Sequence, residues 1–374
     1  MKRAQTHTYA IHDIIRIRST RRLPELEYFR TKRPLEQVDI DVRVDAALKS
    51  GGADDIGYRE LAGLGFGVDI DRRKDCTQVV VSPLVGSSPH VLYTNVVEPL
   101  LRWRFVRKGY ALMHGACLEF GGEALFITAQ TDTGKTTTIL NMVRRHPELW
   151  GFLADDMTIV SADGLVRSYP KPLTISQHTL RAMGGSPLTW KEYLLLRFQS
   201  RLHSRGGRRT GLWLSRSGAP AATLNALVQR LIPPPKFMVD RLVPKSRYAE
   251  QARLTRIALI ERGPDLQEDM GGEELVETLL VNAEDAYTFP PYPALAGSLS
   301  RWNGQDLHKL ERSIITSAVR GVPGFRLRSN RFAWDRQLLQ LLGVEDKVGA
   351  SGAGAWAPGK LPGGVVAVGK GGAV

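Results

Sequence analysis

The sequence predicts an α/β fold with a phosphate-binding loop at its centre and a small β-rich lobe ahead of it. Three observations carry that prediction. A short apolar run, residues 124–128, passes directly into a turn ending in Gly134, Lys135 and Thr136, and a helical stretch over 137–145 follows. A second apolar run, 150–160, carries the adjacent acids Asp155 and Asp156, the first of them 20 residues after Lys135. Over residues 36–98, short strand-like runs alternate with turns rich in Gly, Asp and Ser, the pattern of small β-strands.

The 374 residues are 43% hydrophobic, enough for a main domain with one smaller companion. No apolar run approaches the roughly 18 to 20 residues needed to cross a bilayer. The first residues lack the continuous apolar region of a signal peptide. Two cysteines, Cys76 and Cys117, form neither a disulfide framework nor a metal-ligand spacing, so a reducing cytoplasm is the default location. The lobe is expected to occupy residues 1–104, with strands at 38–44, 66–70 and 77–82. A helix over 96–108, with Leu100, Leu101 and Phe105 on a shared face, joins it to a core over 105–345, either as a hinge or as buried packing.

In the core, two strand-like runs separated by Gly121 and Gly122 read as a hairpin that leads into the phosphate loop. The loop spans Ala129, Gln130, Thr131, Asp132, Thr133, Gly134, Lys135, Thr136 and Thr137. Its amides and the following helix N-terminus converge on one anion, the geometry of a nucleoside triphosphate site. Lys135 is placed to reach the β- and γ-phosphates and the Thr136 hydroxyl to ligate Mg²⁺. Ala129 replaces the first glycine of the common pattern, which is tolerable where its φ is negative. A helix of about three turns and a short return bring the acid pair back beside this loop. One carboxylate can hold the metal while the other accepts the proton of an attacking hydroxyl. Alternatively, the pair caps a turn. His114, at the start of the hairpin, either orients Asp155 or serves a structural role.

Taken together, His114 with Gly115, the Gly121–Gly122 turn, the Gly134–Lys135–Thr136 loop and the acids after Leu153 resemble the core of HPr kinase/phosphorylase and its kinase relatives. The loop is also similar to that of ATP-dependent phosphoenolpyruvate carboxykinase. The resemblance covers roughly residues 105–175 and implies a P-loop kinase core of that type, using ATP and Mg²⁺. It implies that Asp155 is the catalytic base and His114 lies near it. It further implies that Lys135 and Thr136 contact phosphate and metal, and that Asp156 is a metal-site acid. The chain departs from HPr kinase/phosphorylase in lacking its second signature with a metal-binding glutamate, since residues 168–176 contain no acid. The implied acceptor is therefore any hydroxyl-bearing protein, peptide or small molecule.

The formal charge of +13 concentrates in an insert at about 185–235, where Lys191, Arg197, Arg201, Arg205, Arg208, Arg209 and Arg216 interleave with apolar residues. Three readings stand: a lid over phosphates, a surface for an anionic partner or membrane face, or a solvated helix. Arg241, Lys245 and Arg247 are either site-lining or surface charges. Helices are expected over 273–280 and 307–319, a strand over 253–260, and a disordered Gly/Ala-rich tail over 346–374. The resulting expectation is an ATP-dependent kinase. An ATP-binding regulatory module without transfer and a basic membrane-binding or anionic-partner protein are its alternatives. Nucleic acid ranks last as a partner, for want of a recognisable binding motif, and homo-oligomerisation stays open.

Overall fold

The computed structural model describes residues 5–46, 48, 56–72, 75–130, 133–175, 179, 180, 189, 192, 196 and 219–343. Most of the basic insert, loop residues Thr131 and Asp132, and the 346–374 tail therefore lie outside the described residues. The fold is mixed α/β, built on two large sheets within one compact unit, Met1–Asp335. The described residues from Arg336 onward belong to a second unit and continue the helix Trp334–Leu341.

The first sheet runs in the order Arg30–Thr31, His7–Ile11, Ile15–Ser19, Ile40–Val44, Thr77–Val81, Gly67–Asp71, Ile56–Arg59. The strands expected near 38–44, 66–70 and 77–82 are present within a residue or two. The sheet also recruits the chain from His7, where Tyr9, Ile11, Ile15 and Ile17 alternate inward and are fully buried. This is not a self-standing lobe, because its buried residues join the same hydrophobic cluster as the second sheet's.

The helix Glu98–Arg107 explains that continuity. An amphipathic connector would present charge to water, yet every residue from Glu98 to Val106 is buried. Its charged groups have fixed partners. Arg102 grips Glu311 with two bonds of 2.8 and 2.7 Å and Glu284 with one of 2.6 Å. Arg104 donates to the Asp39 carbonyl at 2.8 Å. Of the two readings of this segment, buried packing is the one observed.

The second sheet places the site. The hairpin forms as expected: Ala116–Phe120 pairs antiparallel with Glu123–Thr128, and Gly121 and Gly122 take φ of +59° and +85°, as a two-residue turn of primed type requires. Glu123–Thr128 then pairs in parallel with Gln251–Glu261, whose second half pairs in parallel with Gly324–Arg328. Three parallel strands thus end together, and a crevice outside such carboxyl ends is where open α/β sheets bind ligands. On the far side of the hairpin, residues 110–120 and 151–161 run antiparallel as two bent ribbons. Tyr110–His114 pairs with Met157–Ser161, and Ala116–Phe120 pairs with Gly151–Ala154. The bend falls where Gly115 faces Asp155 and Asp156, Gly115 donating its amide to the Asp156 carbonyl at 2.9 Å. Only glycine fits there, because a Cβ on residue 115 would stand 2.2 Å from Phe126 Cζ and 2.8 Å from the Ile127 carbonyl oxygen.

Candidate active site

The loop starts from a strand buried from Ala124 to Thr128 and ends at the helix Lys135–Arg145. Ala129 is buried and takes no positive φ, so the missing first glycine is not needed for this backbone. Gly134 is needed, with φ at +132°. The Gly134 carbonyl accepts from the Thr138 amide at 3.0 Å and from its hydroxyl at 3.1 Å, fixing the first turn of the helix.

Across from it lies the acid pair. In an unbroken strand, neighbouring side chains point to opposite faces. The register shift between Phe152 and Ala154 breaks the alternation, as a bulge does, and both carboxylates face the loop region. The Thr136 hydroxyl donates to Asp155 Oδ2 at 3.1 Å. The other oxygen of Asp155, Oδ1, is buried and has no hydrogen-bond partner among the described residues. Burial, which Lys135 opposes and Asp156 reinforces, pushes the Asp155 carboxyl up to about 6.

Asp156 has different company. Lys171 donates to Asp156 Oδ2 at 2.6 Å and to Glu98 Oε1 at 2.5 Å, bridging the acid pair to the buried helix. His114 Nε2 stands 3.4 Å from Asp156 Oδ1. The His114 ring is aimed by its other nitrogen, Nδ1, which donates to the Asn282 carbonyl at 2.9 Å, in the last turn of the helix Gly272–Asp285 where carbonyls lack helical partners. Burial works against the charge on Asp156, but Lys171 and then His114 outweigh it and hold its carboxyl well below the usual range. That side chain is also 48% exposed, which weakens the opposition from burial.

Lys135 completes the group. Burial, its leading influence, pulls its ammonium below the ordinary lysine range, and Asp156 and then Asp155 push back. The residue keeps intermediate exposure, which tempers the pull of burial.

Lys135, Thr136, Asp155, Asp156 and His114 are therefore brought together, with Thr137 beside them, bonded to the Thr179 hydroxyl at 3.3 Å. Two pairings differ from expectation. His114 faces Asp156 rather than Asp155, and Thr136, expected to share a metal with Asp156, bonds to Asp155, because the bulge turns the first acid toward the helix start and the second toward the 110–114 strand. The metal role assigned to Asp156 meets a physical obstacle here, since Lys171 and His114 already engage its two oxygens. Arg241 and Arg247 are not at this site: they pair with Glu192 at 2.8 Å and Glu119 at 2.7 Å.

Sequence reasoning missed Lys171 and Glu98. Both left a signal: a lysine between Pro170 and Pro172 in a stretch without acids, and the one acid at the start of an apolar helix. One other set of potential metal ligands among the described residues, Glu284, His308 and Glu311, is engaged by buried Arg102, which supplies the positive charge. A cleft of about 340 Å³ lined by Asp163, Gly164, Arg253 and Arg320 lies at the opposite end of the Gln251–Glu261 strand from the loop and contains none of the groups above.

The residues fit a divalent cation. Thr136 Oγ1 and the unpartnered Asp155 Oδ1 are oxygen donors, the set a hard ion such as Mg²⁺ prefers. No protein-family model matches the chain, and no curated protein matches it. No helix among the described residues is long and apolar enough to cross a membrane.

Proposed function

We propose that the chain is an ATP-dependent kinase that transfers the γ-phosphoryl group to a hydroxyl of a protein, peptide or small molecule, through a core of the HPr kinase type. The observation that carries this reading is the meeting of Thr136 and Asp155 at 3.1 Å, with the second Asp155 oxygen buried and unpartnered. A strand-loop-helix that ends in Gly-Lys-Thr supports triphosphate binding, and a carboxyl beside the phosphate-contacting threonine supports catalysis.

In this reading loop amides and Lys135 hold the β- and γ-phosphates. Thr136 would hold Mg²⁺, which when bound spreads the negative charge of the phosphate oxygens. The acceptor hydroxyl gives its proton to Asp155, its oxygen forms the new bond to the γ-phosphorus, and the bond to the β,γ-bridging oxygen breaks to leave ADP. Burial raises the Asp155 carboxyl above the ordinary aspartate range in the unliganded site, so it holds a proton better than an ordinary aspartate. Asp156, Lys171 and His114 position this arrangement and keep its charge fixed.

Incorporation of labelled γ-phosphate, screened over candidate acceptors, tests the proposal. Asp155→Asn is expected to bind nucleotide and lose transfer, and turnover equal to the parent's would falsify the assigned base. The second reading, an ATP-binding regulatory module that transfers nothing, is favoured by the clamp on Asp156, which withdraws one of the two carboxylates from chemistry. Nucleotide binding without phosphate incorporation into any acceptor would select it.

A further inference from the structure

We propose that the helix Ala221–Leu231, together with the adjoining loop that carries Leu61 and Leu64, is the surface by which the protein docks on an anionic lipid bilayer.

This helix is turned inside out. A surface helix ordinarily buries its large apolar side chains along one stripe and shows polar ones to water. Here the buried side holds Ala222, Ala226 and Gln229, and the two alanines belong to the main hydrophobic core. The large side chains, Leu224, Leu227, Val228 and Leu231, are all exposed, Leu231 by 78%. Their spacing, three, four and seven residues on from Leu224, puts them on a single face about 100° wide.

The neighbouring loop extends that face. Glu60 accepts from the Ala222 and Thr223 amides at 3.2 and 2.7 Å, and the Thr223 hydroxyl accepts from the Phe66 amide at 2.8 Å. Residues 60–66 are thereby fixed against the start of the helix. Between those anchors Leu61 is exposed and Leu64 is 90% exposed. Leu61 and Ala62 both take φ of +53°, a left-handed backbone that costs energy for a leucine. Exposed apolar side chains gathered on one helix face and the loop beside it mark an interaction surface rather than scattered surface residues.

Charge selects the occupant. The chain carries a formal +13, and residues 191–216, most of them outside the described residues, lead into this helix with seven lysines and arginines against one acid, Glu192. Arg230 is exposed on the flank of the stripe. A second copy would bring an equal positive charge, which opposes self-association. Anionic headgroups attract that charge, and the acyl region takes protruding leucines without a matching pocket. With the helix axis in the plane of the interface, the stripe enters the acyl boundary while Arg230 reaches the headgroups.

Cosedimentation of the full chain with two kinds of vesicle tests the docking: phosphatidylcholine alone, and phosphatidylcholine with about one third phosphatidylserine. The parent is compared with Leu227→Gln combined with Leu231→Gln, and separately with Leu61→Gln combined with Leu64→Gln. All four side chains are exposed, so urea midpoints are expected to match the parent's. The parent is expected to prefer the phosphatidylserine vesicles, and each double variant to bind them about tenfold more weakly. Failure of the parent to bind those vesicles overturns the proposal, as does equal binding to both kinds. Parent-like binding by both double variants overturns it too, because attraction then acts elsewhere on the chain. A lipid-free dimer that the helix variant dissolves would assign the stripe to a second copy instead.

Discussion

Replacing Asp155 with asparagine removes an ionisable group from a place that disfavours its charge, and the effect on stability follows from the geometry. Burial, opposed by Lys135 and helped by Asp156, lifts the carboxyl from 3.8 to about 6. Between those two values the folded state retains a proton that the unfolded state has released. Stability therefore falls as pH rises through this window, and the penalty is complete above the folded value. A carboxyl lifted from 3.8 to about 6 destabilises the folded protein by about 3 kcal/mol at neutral pH. The asparagine side chain is uncharged at both ends of the window and still accepts from Thr136. Relative to the parent, Asp155→Asn is expected to gain roughly 2.5 kcal/mol between pH 4 and pH 7.5. Urea midpoints of both proteins at the two pH values, in chelator and without nucleotide, measure the gain. A parent-to-variant difference that stays constant with pH would refute the burial argument. A difference that grows in the parent's favour would reverse its sign.

Other substitutions probe the remaining supports. Lys135→Ala removes the loop lysine that opposes the raised carboxyl of Asp155 and is expected to weaken Mg·ATP about a hundredfold by calorimetry, from roughly 3 kcal/mol for a hydrogen bond to a charged group. Gly115→Ala places a methyl against Phe126 and the Ile127 carbonyl; expected are a loss of about 1–3 kcal/mol in denaturant unfolding and a larger fall in transfer than in ATP affinity. Arg102→Met strands the buried Glu311 carboxylate and is expected to lower stability by about 3–5 kcal/mol, whereas Arg102→Met with Glu311→Leu recovers most of it. Lys171→Met removes what holds Asp156 ionised, and the half-open setting of that acid limits the expected loss to about 2 kcal/mol, read from the same unfolding curves.

What was legible in the chain was what neighbouring residues decide. The Gly121–Gly122 turn, the helix after Gly134 and the strands at 77–81 and 123–128 follow from backbone preferences and short-range apolar pattern. The site was legible as a set of residues for the same reason, since loop and acid strand are joined by a single short crossover. Its pairings were not. Whether Thr136 meets Asp155 or Asp156 depends on the register shift between Phe152 and Ala154, where the strand pairs with Leu118 and Cys117 from another segment. The choice between hinge and buried packing for the helix at 98–107 was not legible, because Glu311, the partner of Arg102, lies 209 residues away in sequence. Lys171 escaped notice likewise, because its two acids come from segments 73 and 15 residues upstream.

The distribution of charge distinguishes a working site from a structural one. Glu98 and Asp156 share Lys171, and His114 faces Asp156 from the other side. Of the two, Asp156 is fully compensated within the protein, its carboxyl held well below the usual range by Lys171 and His114 against burial. Among the described residues Asp155 accepts a hydrogen bond only from a neutral hydroxyl, its Oδ1 is buried without a hydrogen-bond partner, and Lys135 offsets its burial only in part. If the acid pair merely capped a turn, an asparagine in place of Asp155 would satisfy Thr136 at no electrostatic cost, and the penalty of about 3 kcal/mol would serve nothing. A fold that compensates one carboxylate twice and leaves its neighbour short of positive charge, 3.1 Å from the hydroxyl of a Gly-Lys-Thr loop, supports the proposed reading, in which a cation or a proton is received there. Either way, the deficit at Asp155 is what a bound metal or an acceptor hydroxyl would relieve, and perturbed carboxyls of this kind gather at functional sites.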